Sequence, residues 1–156
     1  MCGIAGFISN KLSEIDLINM TNAIKHRGPD AKGHFFDFEK GIGLGHRRLS
    51  ILDISDAANQ PMKSQCGRYV IVYNGEVYNY KEIAKKLGNI NWKTNSDTEV
   101  LLEAFLRWGV EFVNQLNGMF AIAIYDLQEN KLFLFRDRMG IKPLFYFRDG
   151  KDLVFS

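Results

Sequence analysis

The chain has 156 residues, 46% of them apolar, and a formal net charge of +2 at pH 7. That length suits one domain burying roughly 68–70% of its unfolded surface, and the near-neutral charge selects no nucleic acid as partner. No run approaches the ~18 apolar residues of a membrane span and no secretory leader opens the chain; two cysteines, Cys2 and Cys66, are too few for a disulfide scaffold, so a cytoplasmic setting is expected.

The first eight residues read as a short apolar strand that begins with Cys2 directly behind the initiator methionine. Methionine is removed when the next residue is small, which would leave one residue carrying both a thiol and an α-amine. The amine, with an ordinary pKa of about 7.7–8.0, can then act as base for its own thiol, near 8.5. The alternative is a small buried hydrophobe, the common fate of a free cysteine.

Ser13, with Asp16 three residues on, is placed to cap a helix whose apolar face holds Leu17, Met20 and Ile24. His26-Arg27-Gly28-Pro29-Asp30 ends it as a loop. Strands are expected near 33–38 and 42–49, and Asn59-Gln60-Pro61-Met62 reads as irregular. Two β-rich runs, 69–73 and 76–78, flank Asn74-Gly75. A short helix over 81–87 stops at Gly88. A longer one, 96–108, has a Ser96/Glu99 capping box, a Leu101, Ala104, Phe105, Trp108 stripe and Gly109 as its stop. The unbroken apolar run 119–125 predicts a strand covered on both faces. Further strands are expected near 132–136, 144–147 and 153–155. The pattern indicates an α+β arrangement of packed sheets with helices outside. The final strand has no stop signal, so the chain reads as cut from something longer.

Asn74-Gly75 has two readings. Between β-rich runs the pair is a strong signal for a type I′ hairpin, whose central residues both need positive φ. It can also supply an oxyanion hole, the Asn74 amide and the Gly75 N–H aimed at a developing negative oxygen. Arg48 is either a surface arginine beside Arg47 or a bidentate clamp for a carboxylate. Asp97 either favours the positive end of its helix or receives an ammonium group. Glu76 is an exposed strand residue or a second acceptor for that ammonium. Gly41-Ile-Gly43-Leu-Gly45-His46 does not complete a dinucleotide fingerprint, and His26, His34 and His46 lack the spacing of a metal site, so no metal is expected.

In order along the chain stand Cys2-Gly-Ile-Ala-Gly-Phe, His26-Arg-Gly-Pro-Asp30, Arg48-Leu-Ser-Ile51, Asn74-Gly-Glu-Val-Tyr-Asn79, Ser96-Asp-Thr-Glu99, Gly118-Met-Phe-Ala-Ile-Ala-Ile-Tyr-Asp126 and Arg136-Asp-Arg-Met-Gly-Ile-Lys-Pro-Leu-Phe-Tyr146. Through them the whole chain resembles the glutaminase domain of class II glutamine amidotransferases, in the asparagine synthetase branch. The resemblance implies the N-terminal-nucleophile hydrolase fold, a four-layer αββα sandwich with two antiparallel sheets. It implies that residues 1–156 form one glutaminase domain, truncated before an ATP-dependent synthetase domain. The substrate implied is L-glutamine: Cys2 attacks the side-chain amide, and Asn74 and Gly75 hold the oxyanion. Arg48 takes the α-carboxylate, Asp97 and Glu76 take the α-ammonium, and Arg48-Leu49-Ser50-Ile51-Leu52 wall the pocket. No cofactor is implied for this domain; ATP and Mg belong to the synthetase domain, which is also the implied partner. The amide acceptor is asparagine-forming by default, and another carboxylate is the alternative. A different class of reading is a glutamine-binding or docking module without turnover, if Met1 is retained. A third is a structural domain with a Cys2–Cys66 disulfide.

Overall fold

The computed structural model describes residues 2–50, 53 and 55–156. Its strands are β1 (Gly3–Ile8), β2 (Ala31–Asp37), β3 (Ile42–Arg48), β4 (Met62–Lys63), β5 (Tyr69–Val77), β6 (Gly118–Asp126), β7 (Lys131–Arg136), β8 (Tyr146–Asp149) and β9 (Asp152–Phe155). The helices are α1 (Glu14–Ala23), α2 (Tyr80–Leu87) and α3 (Asp97–Trp108). The strands form two antiparallel sheets, one ordered β2-β3-β1-β9-β8 and the other β4-β5-β6-β7.

Alternation along β5 and β6 explains the layering, because successive side chains leave a strand on opposite faces. Val70, Val72, Ala121, Ala123 and Tyr125 meet Ile4, Ile42 and Leu44 of the other sheet. Ile71, Tyr73, Phe120, Ile122 and Ile124 face Ile83 of α2 and Val100, Leu101, Ala104 and Phe105 of α3. The apolar run in β6 is thus buried on both sides, as its composition implies. On the far face of the five-stranded sheet, glycines make a flat floor for α1. A Cβ on Gly45 would stand 2.3 Å from Thr21 Cγ2. The fold is a four-layer αββα sandwich, α1 outside one sheet and α2 with α3 outside the other.

Several local expectations change in the folded chain. Asn74-Gly75 is no hairpin: β5 runs straight through it, pairing with β6 from Tyr69↔Asp126 to Val77↔Gly118, and neither residue has positive φ. Long-range pairing overrides the local turn signal. The buried stripe of α1 is Leu17 and Thr21, with Met20 and Ile24 at its margin, because the glycine floor admits the small Thr21. The Ser96/Glu99 box is half made. Ser96 Oγ accepts from the Glu99 N–H at 3.5 Å, but the Glu99 carboxylate turns to the Lys93 and Thr94 N–H groups instead. β8 begins at Tyr146, not at 144, although Phe145 still exchanges two backbone bonds with Ser156. Cys2 and Cys66 are both free thiols, Cys66 at an exposed turn, so the disulfide reading is lost.

Candidate active site

Where the two sheets meet at one end lies a cavity of about 130 Å³ whose wall includes Cys2, Arg48, Leu49, Asn74, Gly75, Glu76 and Asp97. That is well below the ~300–1,000 Å³ of a cofactor or drug-sized pocket and suits a metabolite of a few heavy atoms. Each side is built by a different element.

Cys2 stands just before β1 and is partly buried. Its carbonyl accepts from Arg27 Nε at 3.0 Å, and this bond fixes the chain end from the turn after α1. The Leu49 N–H points at Cys2 Sγ, 3.4 Å away. The thiol in turn reaches the Leu49 carbonyl at 3.6 Å.

The opposite wall is an edge of β5 that, among the described residues, has no strand partner beyond β4. β4 pairs only Met62↔Ile71 and Lys63↔Val70, and the residue before it, Pro61, has no N–H to extend the ladder. Two side chains take over at Tyr73: its N–H donates to Gln60 Oε1 at 2.6 Å, and His46 Nε2 lies 3.2 Å from its carbonyl. One pair further on, Phe120 opposes Gly75. Phe120 spends its N–H on Asp137 Oδ2 and its carbonyl on the Asp137 N–H. Antiparallel ladders alternate, so Gly75 shares the edge of Tyr73 and its N–H is directed away from β6, on the cavity side. A Cβ on Gly75 would fall 2.3 Å from the Met119 carbonyl. Glycine is required here by close approach, not by a turn. The Asn74 side chain shares the inward face with Val72; it is buried and makes no hydrogen bond to the described residues.

Charges complete the wall. Arg48 is buried on β3, its guanidinium held by the Ser55 carbonyl at 2.9 Å, Asn59 Oδ1 at 2.7 Å and the Asp53 carbonyl. Asp97, the first residue of α3, accepts on Oδ2 from Tyr73 Oη at 2.8 Å and the Val77 N–H at 3.2 Å. Burial pushes the Asp97 carboxyl above the ordinary range, and the Tyr73 hydroxyl only partly opposes this. Glu76 is exposed at the rim. A cation on one wall and carboxylates on the other match a zwitterion. Ser50 is outside the wall, its N–H bonded to Asp30 Oδ2 at 2.8 Å; Ile51 and Leu52 lie outside the described residues.

The sequence matches the glutamine amidotransferase domain family over residues 1–156. The chain belongs to that family. Asparagine synthetase [glutamine-hydrolyzing] 2 of Bacillus subtilis is 43% identical to it, covering 100% of this chain and 21% of that protein. A Gibberella zeae protein named amidase chry2 is 36% identical over 94% of this chain and 24% of its own length. Glutamine phosphoribosylpyrophosphate amidotransferase of B. subtilis, solved with ADP and GMP, superposes with a TM-score of 0.76 at 20% identity, covering 99% of this chain and 41% of that one. That likeness is one of fold. The chain spans 21–34% of the length of the curated relatives it matches.

This glutamine amidotransferase domain also lines its cavity with His46, Gln60, Tyr73, Thr98, Met119 and Lys142, none of which local pattern singles out. Their roles arise between sheets. Gln60 joins Tyr73 to Thr98, donating to Thr98 Oγ1 at 3.1 Å. Thr98, Met119 and Lys142 did carry a signal, their places inside the Ser96–Glu99, Gly118–Asp126 and Arg136–Tyr146 motifs.

Proposed function

We propose that this domain hydrolyses the side-chain amide of L-glutamine to glutamate and ammonia through a thioester on Cys2. The supporting observation is that Cys2 Sγ, the Asn74 amide and the outward edge of β5 at Gly75 face one small cavity with Arg48 and Asp97 in its wall.

With Met1 removed, the Cys2 α-amine takes the thiol proton. The thiolate adds to the amide carbon of glutamine. Asn74 and Gly75 donate to the resulting oxyanion, and a single such donor is worth about 2.7–4 kcal/mol. The intermediate collapses, the C–N bond breaks, and the nitrogen leaves as ammonia with the proton held on the amine. Water then adds to the thioester, the C–S bond breaks, and glutamate and the free thiol are released. Arg48 receives the α-carboxylate, Asp97 and Glu76 the α-ammonium, and Leu49 borders the side chain. A ligand lacking the α-ammonium would leave the buried Asp97 carboxylate without a counter-charge, which gives the site its selectivity. None of these steps calls for a metal or cofactor. A cytoplasmic setting, which keeps thiols reduced, suits a free nucleophilic cysteine.

The ammonia is destined for an ATP- and Mg-dependent synthetase domain of the asparagine synthetase type. The glutamine-hydrolysing synthetase of B. subtilis, matched over all of this chain, supports that partner. The test is release of glutamate from glutamine by protein whose intact mass shows a cysteine start. Cys2→Ala should abolish release and leave the circular dichroism spectrum intact. Activity persisting in that variant rejects the mechanism.

A further inference from the structure

His46 lies on β3 with 1% of its surface exposed. Among the described residues, the one polar contact of its side chain is Nε2 to the Tyr73 carbonyl, 3.2 Å away across the gap between the sheets. A carbonyl only accepts, so Nε2 carries the ring proton. Nδ1 is then a lone pair, buried with no hydrogen-bond partner among the described residues. A phenyl ring would fill the same space without stranding that acceptor, which costs as much as a lost hydrogen bond. The protein tolerates the loss for one N–H.

That N–H reaches the position where β4 has ended and the β5 backbone would otherwise be unsatisfied. Tyr73 is held there from both ends, at N–H by Gln60 and at C=O by His46. The next two residues are the oxyanion donors of the proposed reaction. β3 continues into Leu49, whose N–H contacts Cys2 Sγ. One side chain therefore spans from the strand that leads to the nucleophile's contact to the strand that carries the oxyanion hole.

We propose that His46 is a positioning residue for amide hydrolysis: as the neutral Nε2–H tautomer it clamps the Tyr73 carbonyl across the sheets and thereby sets Asn74 and Gly75 at working distance from Cys2. This rests on the glutaminase reading above. Burial supports the neutral form, lowering the ring pKa to about 4 with Arg48 adding to the effect. His46 donates to the backbone and does not serve as general base.

The test compares His46→Phe, which fills the space without a donor, with His46→Gln, whose terminal amide can still donate to the Tyr73 carbonyl. In the full-length enzyme, His46→Phe should lower kcat about 100-fold, the scale of a roughly 1 Å misplacement, with KM for glutamine changed less than about 3-fold. His46→Gln should recover most of kcat. A kcat within twofold of wild type in His46→Phe overturns the proposal, as does equal loss in both variants with unchanged thermal stability. If His46→Phe does not fold, ¹⁵N-histidine NMR on the wild type still decides. A Nδ1–H tautomer or an imidazolium at pH 7 overturns it, and a Nε2–H tautomer is required by it. Wild type that releases no glutamate refutes the glutaminase reading instead, and the tautomer remains readable.

Discussion

Two buried aspartates show how the fold separates structure from function. Asp97 and Asp137 are each 5% exposed, and each receives backbone N–H groups. Asp137, in the turn after β7, accepts from the Ile141 N–H at 2.8 Å, the Lys142 N–H at 2.9 Å and the Phe120 N–H at 3.2 Å. Burial alone would raise its pKa, but these fixed donors together hold it below the usual carboxylate range. Asp97 has the Tyr73 hydroxyl and the Val77 N–H, both on one oxygen, and burial prevails so its pKa rises. Fixed donors complete the charge of Asp137 and leave that of Asp97 partly unmet. A ligand ammonium is the natural completion. Asp137 is thereby satisfied within the fold, and the unmet charge of Asp97 is what its proposed role as ammonium acceptor requires.

The comparison breaks most severely if Asp97 proves structural. Asp97→Asn keeps an oxygen for Tyr73 and Val77 but removes the charge. Losing a buried ammonium–carboxylate pair costs about 2–5 kcal/mol, so kcat/KM for glutamine should fall about 100-fold or more, chiefly through KM. The denaturant midpoint should hold or rise, because an under-satisfied charge has gone. A lowered midpoint with unchanged KM would assign Asp97 to the fold. The mirror experiment is Asp137→Ala. It strips acceptors from buried backbone donors and should cost about 2–3 kcal/mol of stability, read as a lower urea midpoint at unchanged m-value, with KM for glutamine preserved.

What could be read from the chain follows the range of the signal. Helix ends were legible because caps are local: Ser13 accepts from the Asp16 N–H, and Gly109 ends α3 with positive φ. The double burial of β6 was legible because an apolar run has no wet face to offer. Asn74-Gly75 was ambiguous because turn propensity is local, whereas its strand conformation comes from pairing with residues more than forty positions away. Cys2 and Asp97 were visible as candidate chemistry, and the cavity brings them together. Arg48 was legible as a cation but not as one whose guanidinium is already braced by Asp53, Ser55 and Asn59. His46 and Gln60 were invisible in their roles. They replace ladder bonds that β4 does not make, and nothing in a sequence states where a neighbouring strand ends.

The smallest expected effect is a difference of slope between two stability–pH curves. The folded pKa of Asp137 lies below its unfolded value, near 3.8. Its contribution is therefore complete above that value and is lost as the pH falls through the depressed one. Asp97 has the opposite sign: its folded pKa lies above 3.8, so its contribution is full below 3.8 and is lost as the pH rises through the raised value. Replacing Asp137 by asparagine should flatten the acid limb of the urea-midpoint curve below about pH 4. Replacing Asp97 should leave that limb intact and instead raise the curve above it, where the wild-type carboxyl must ionise in a buried setting. Saturating glutamine should shrink the second difference and leave the first untouched, since only Asp97 would gain a counter-charge. Equal responses of the two variants to glutamine would erase the distinction between them.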